Sequence, residues 1–116
     1  MSYFPFFMEI KGQKCLVAGG GIVALRKIEK LLPFGAEITV VSPAFCAEIA
    51  EMEDVRKVQR PFVKEDIEGM LFVIGATDDE NVNAEISVLC KEKNIPVNIV
   101  DDPAKCTFFF PALVKK

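Results

Sequence analysis

The chain has 116 residues, half of them hydrophobic and 27% charged, the balance of one folded domain around one core and not of a disordered tail. Its 14 basic and 17 acidic side chains leave a net charge of −3 with no basic block, which argues against nucleic-acid binding. No stretch approaches the about 18 apolar residues that a membrane-spanning helix needs.

The N-terminal run Tyr3-Phe4-Pro5-Phe6-Phe7-Met8 is too short for a signal-peptide core and no basic residue precedes it, so a cytoplasmic protein is expected. Cys15, Cys46, Cys90 and Cys106 form no C-x-x-C pair, and there is no histidine to complete a zinc site. Reduced thiols and no metal site are the expectation.

Lys14 to Ala18 reads as a short buried strand. Ile22 to Phe34 carries Ile22, Val23, Ile28, Leu31 and Leu32 near helical spacing, and Pro33 and Gly35 end that helix. Glu37 to Val41 is β-branched and reads as a second strand stopped by Ser42-Pro43, with a helix from Ala44 to about Met52 behind it. Val55 to Gln59 alternates weakly as a third strand, and Lys64 to Met70 suits a turn or two of helix. Leu71 to Ala76 is a further apolar strand, after which Thr77-Asp78-Asp79 supplies caps for a helix running to Lys93. Ile95 to Val100 reads as a fifth strand and Thr107 to Phe110 as a sixth, broken by Pro111. The β-α alternation predicts an α/β, Rossmann-like, doubly wound and mostly parallel sheet with helices on both faces, as a single domain over residues 1–116.

Gly19, Gly21 and Ala24 fit G-x-G-x-x-A, directly after a buried strand and at the opening of a helix. In that context the first glycine permits a tight turn, the second lets a pyrophosphate approach the backbone, and the small third residue lets helix and strand pack. The helix N–H groups then face the anion. A NAD-binding unit usually carries Asp or Glu about 20 residues further on, for the ribose hydroxyls. Here Val41-Ser42-Pro43 holds that place, with no Arg nearby for a 2'-phosphate, so the residues themselves leave NAD and NADP open; Ser42 can make a weaker contact.

Several segments together resemble the precorrin-2 dehydrogenase family, the N-terminal module of sirohaem synthase. They are Phe6 to Gly12, Val17 to Ala24 with Arg26-Lys27, Gly35 to Pro43, Ala76-Thr77-Asp78-Asp79 with Val82-Asn83, and Val97 to Pro103 followed by Phe108 to Ala112. The resemblance implies sirohydrochlorin formation from precorrin-2 with NAD as cofactor, and in some members insertion of ferrous iron. It implies that Ile22, Val23, Pro43 and Ala44 hold the NAD beside Gly19, Gly20 and Gly21, that the missing ribose carboxylate is a family trait, and that members are homodimeric. It places the catalytic aspartate on Asp101. Members continue past Pro111-Ala112 into a dimerisation region that helps build the tetrapyrrole site, and this region is expected to be absent here. The competing readings are a non-catalytic NAD(H)-sensing module, which would normally keep the acid after the second strand, and an inactive fragment.

Each candidate has a plainer account. Asp101-Asp102-Pro103 can simply make a turn. Thr77, Asp78 and Asp79 can touch the cofactor or only cap the helix. Arg26 and Lys27 would oppose the helix dipole unless they serve an anion, and a solvated helix face is the plainer reading. The phenylalanines at 4, 6, 7, 108, 109 and 110 can offer flat surfaces to a macrocycle, though such residues in strands usually join the core.

Overall fold

Strands that are apolar at every position must be covered on both sides, and the central one here is. β1 (Lys14–Ala18) sends Cys15 and Val17 into one core cluster and Leu16 and Ala18 into the other, each at most 1% exposed. That is the signature of a parallel sheet between two helical layers. The computed structural model describes residues 3–110. Its elements are β1, α1 (Ile22–Leu31), β2 (Glu37–Ser42), α2 (Ala47–Glu51), β3 (Arg56–Gln59), β4 (Phe72–Gly75), α3 (Glu80–Glu92) and β5 (Val97–Ile99), with 3-10 turns at Leu32–Phe34, Lys64–Ile67 and Pro103–Lys105.

The five strands lie in the order β3-β2-β1-β4-β5 and every pairing is parallel. On one face α1 buries Ala24, Leu25, Ile28 and Leu31, and α2 adds Ile49, against Val17, Ile38, Val40 and Ile74. On the other face Ile86 and Cys90 of α3 and Ile67 pack on Leu16, Val41, Val73 and Val97. The strand order steps outward from β1 in both directions, so the β1/β4 boundary is the switch point where a doubly wound sheet opens a crevice beyond its strand ends.

The elements differ from expectation at places with local causes. The first helix stops at Leu31 because Pro33 has no N–H to continue the ladder, and Gly35, at φ +81°, closes the following 3-10 turn. The second helix begins only at Ala47, since the Cys46 N–H donates to the Gly20 carbonyl at 2.7 Å and holds residues 44–46 against the glycine turn. The sixth strand does not form. The Thr107 N–H reaches the Val97 carbonyl at 2.8 Å, but the Thr107 hydroxyl accepts the Val97 N–H at 2.8 Å, taking the donor that a ladder would need. Asn98 Nδ2 then donates to the Phe108 carbonyl at 3.0 Å, pinning the segment by side chains. Pro111 and Ala112 of the closing motif lie outside the described residues.

The aromatic residues divide. Phe108 packs edge-on against Phe72 with centroids 5.6 Å apart and borders the core, as does Phe110. Phe4, Phe6 and Phe7 precede β1, belong to no strand and are exposed, so their expected place in the core is not realised.

Candidate cofactor site

Two of the three turn glycines are required by backbone crowding, and the third is not. Gly19 sits at φ +128°, and a Cβ there would overlap the Ala76 carbonyl, standing 2.6 Å from its carbon. A Cβ on Gly20 would overlap the Ala44 carbonyl oxygen and lie 2.9 Å from Ser42 Oγ. Gly21 has an ordinary extended backbone, and a Cβ added to it meets no atom within 4 Å. Space therefore stands open in front of the α1 N-terminus. No side chain caps that end and its first turn holds no acidic residue, so nothing among the described residues competes with an anion for the N–H groups at Ile22 and Val23. This is the cradle a pyrophosphate fits.

The turn forms one wall of a groove of about 970 Å³ beyond the ends of β1, β2, β4 and β5. Its other walls are Ser42, Pro43 and Ala44 after β2, Thr77, Asp78 and Asp79 after β4, and Ile99 to Asp102 at β5. All of the candidates Gly19, Gly20, Gly21, Ile22, Val23, Ser42, Pro43, Ala44, Thr77, Asp78 and Asp101 thus come together at one place. The volume is at the upper end of the roughly 300–1,000 Å³ usual for small-molecule sites.

Their surroundings differ in what they leave available. Ser42 is buried and its hydroxyl accepts from the Ala44 N–H at 3.4 Å, so it serves the turn first, while Pro43 and Ala44 are exposed on the rim. No carboxylate stands at the end of β2. Arg60, just past β3, is held by Asp66 through two bonds of 2.7 and 2.9 Å. Thr77 is tied to Asn83 of α3, its hydroxyl donating to Oδ1 at 2.7 Å and its carbonyl accepting from Nδ2 at 3.0 Å. Asp79 caps α3 by accepting from the Asn81 N–H at 2.9 Å. The capping account therefore describes Asp79; both carboxylates are exposed, and Asp78 is the one that makes no side-chain hydrogen bond among the described residues. Nothing in the sequence marks Asn83, a polar residue on a helical face, for its buried anchoring role.

Asp101 and Asp102 also separate. Asp102 pairs with Lys105 Nζ at 2.6 Å, and its N–H closes a turn on the Ile99 carbonyl. Asp101 is exposed at φ +60°, the left-handed region, and makes no side-chain hydrogen bond among the described residues. Such a conformation costs of order 1–3 kcal/mol and gathers at functional sites, although aspartate bears it better than most residues.

A second cleft, of about 490 Å³, adjoins the groove across Ile22, Val23 and the Ile99 to Asp102 segment, and Arg26, Lys27, Lys30, Phe109 and Phe110 complete it. The solvated-face expectation describes Arg26 but not Lys27, which is half-buried with Nζ 4.3 Å from the Phe110 ring centroid. Burial, and then the charge of Lys30, holds the Lys27 ammonium below its usual pKa, against the opposing pull of Asp101 and Cys106. Cys15 and Cys90 are buried thiols pushed up by desolvation to about 12 and about 11, so neither is a nucleophile. No helix among the described residues is long and apolar enough to cross a membrane.

A parallel sheet with an open glycine cradle at its switch point defines a dinucleotide-binding domain. Residues 6–112 match the family model described as "Putative NAD(P)-binding", and the chain belongs to that family. It is 44% identical over 119 residues to a siroheme synthase of Thioalkalivibrio sulfidiphilus, and 43% identical over 119 residues to one of Pseudoalteromonas translucida. All of this chain is covered in both comparisons, and the chain spans about a quarter of those relatives' length. Among solved structures, SirC, a precorrin-2 dehydrogenase, matches with a TM-score of 0.85 and 31% identity, covering 97% of this chain and 57% of that one. A protein of Pyrococcus horikoshii OT3 shares the fold at a TM-score of 0.58 and 18% identity.

Proposed function

We propose that this chain is the NAD-binding part of a precorrin-2 dehydrogenase, serving sirohaem synthesis. The observation that carries the reading is the meeting, in one groove, of the open Gly21 cradle and a strained, unpaired Asp101. The similarity to siroheme synthases and to SirC supports the choice of substrate.

The α1 N-terminus, with the N–H groups at Ile22 and Val23, binds the pyrophosphate. Gly19 and Gly20 let the β4 and β2 loops close onto the turn. Pro43 and Ala44 border the adenosine end, with Ser42 beneath them. Without an acid after β2, that end relies on backbone and shape. Thr77, fixed by Asn83, and Asp78 flank the nicotinamide side. The bound nicotinamide supplies a hydride acceptor. Oxidation of precorrin-2 to sirohydrochlorin removes one hydride and one proton, and the Asp101 carboxylate takes the proton as general base. Should the longer protein also insert ferrous iron, Asp101 is the group in this groove suited to receive the pyrrole protons. A homodimer, as the family resemblance implies, is part of the same reading, and light scattering measures it directly.

The test places this chain in a siroheme synthase. It replaces the matching segment of the Thioalkalivibrio protein, and precorrin-2 oxidation is followed by NADH and sirohydrochlorin absorbance. The chimera is expected to turn over with NAD+, and Asp101→Asn to lower kcat by about 10²–10⁴-fold, the usual worth of a general base, with little change in NAD+ affinity. A chimera that folds and binds NAD+ but forms no sirohydrochlorin contradicts the proposal, as does an Asp101→Asn chimera with unaltered turnover.

A further inference from the structure

We propose that the cleft beside the cofactor groove is a receptor for the carboxylate groups of a flat polycarboxylate ligand, with Arg26, Lys27 and Lys30 as its cations. The identity of that ligand as the tetrapyrrole of the dehydrogenase reaction rests on the function proposed above; the anion-binding character of the cleft does not.

Three observations converge. First, the three cations share one helix and one cleft, yet none is paired: the salt bridges among the described residues are Arg60–Asp66 and Lys105–Asp102. Positive charges three and four residues apart repel, and only Lys30, in the last turn of α1, gains from the helix dipole. Such a cluster is unfavourable unless an anion offsets it. Secondly, Lys27 is drawn out of solvent onto the Phe110 ring, with Lys30 and Asp101 as its charged neighbours. A surface lysine would instead extend into water. Thirdly, the same cleft carries aromatic surface, with Phe110 under the Lys27 ammonium and Phe109 still 40% exposed. Cations and aromatic rings lining one cleft suit a flat, conjugated molecule with anionic substituents. Because the cleft and the groove share the Ile99 to Asp102 segment, a ring lying there has its edge at Asp101, between the cations and the cofactor.

The experiment titrates uroporphyrin I, a ring bearing carboxylates all round, into the chain and reads porphyrin fluorescence. Coproporphyrin I, with half as many carboxylates on the same ring, is titrated alongside. The parent is expected to bind uroporphyrin more tightly than coproporphyrin. The triple variant Arg26→Gln, Lys27→Gln, Lys30→Gln is expected to lose at least tenfold in uroporphyrin affinity and most of the preference. A control triple, Lys14→Gln, Lys64→Gln, Lys93→Gln, removes as much charge from exposed positions outside the cleft and is expected to change affinity less than twofold. Equal binding by parent and cleft variant overturns the proposal, as does an equal loss in both triples or no uroporphyrin binding by the parent. The thermal shift produced by NADH in the same samples reads the cofactor groove separately. Its absence counts against the dehydrogenase reading whether or not the porphyrin binds, and its presence beside unaltered porphyrin binding counts against the cleft alone.

Discussion

Replacing Gly20 and Gly21 by alanine, one at a time, separates what the glycine turn does for the fold from what it does for a ligand. At Gly20 the new methyl would overlap the Ala44 carbonyl oxygen and come within 2.9 Å of Ser42 Oγ, with backbone on the other side unable to yield. Accommodation requires the turn to move, which also strains the bond from the Cys46 N–H to the Gly20 carbonyl. Overpacking costs about 1–3 kcal/mol and a weakened hydrogen bond about another 1 kcal/mol. For 116 residues that is a fall in Tm of about 8–16 °C, from an unfolding entropy of about 2.1 cal/mol/K per residue. Gly21→Ala meets no protein atom within 4 Å and has a permitted backbone, so its stability should change by no more than about 1 kcal/mol, the scale of an N-cap substitution. Its methyl nevertheless occupies the cradle. At a free NADH concentration of about 100 Kd the parent should gain about 2.7 kcal/mol, some 11 °C in Tm, and Gly21→Ala should lose most of that gain. Differential scanning fluorimetry with and without NADH measures both effects. A Gly20→Ala chain that melts with the parent, or a Gly21→Ala chain with an undiminished NADH shift, would refute the geometry on which the site is built.

Asn83→Ala removes the anchor of Thr77 from a buried position and leaves polar groups of that turn unpaired. A loss of about 2–4 kcal/mol in urea unfolding is expected, from about 1–3 kcal/mol for each group left unsatisfied, and an unchanged midpoint would contradict the anchoring role. Asp66 is partly desolvated, which raises its pKa, but hydrogen bonds from Arg60 and the Val63 N–H outweigh that and leave it below the ordinary 3.8. A depressed carboxyl stabilises the fold above its unfolded pKa and stops doing so as pH falls through the folded one. Asp66→Asn should therefore be less stable than the parent at pH 7, with the two unfolding midpoints converging as pH falls through the lowered pKa of the folded carboxyl; a gap that persists at still lower pH would point to packing instead. Iodoacetamide at pH 8 should alkylate Cys46 and Cys106 while Cys15 and Cys90 stay unmodified in the folded chain, as peptide mass spectrometry reads.

The layer architecture was legible because the strands are short apolar runs and the helix caps and stops are conventional residues. Pro33, Gly35 and Asp79 each act where their chemistry suggests. The glycine turn was legible too, but not which glycine does what: Gly20 looks like a filler in G-x-G-x-x-A, and only the approach of the Ala44 carbonyl makes it indispensable. The false sixth strand at Thr107 to Phe110 had the right composition and failed through one hydroxyl bonded to the neighbouring strand. The family resemblance singles out Asp101 from Asp102, but the physical difference between them, the pairing of Asp102 with Lys105, exists only in three dimensions. Lys27 read as solvated because nothing in the sequence brings Phe110, 83 positions later, over its ammonium.

A crystal structure of the chain with NAD+ is the decisive experiment. The pyrophosphate is expected against the N–H groups of Ile22 and Val23 with the Gly21 Cα facing it, the adenosine over Pro43 and Ala44, and the nicotinamide between Thr77-Asp78 and Asp101. A dinucleotide bound elsewhere, or in this groove with its nicotinamide directed away from Asp101, would contradict that placement.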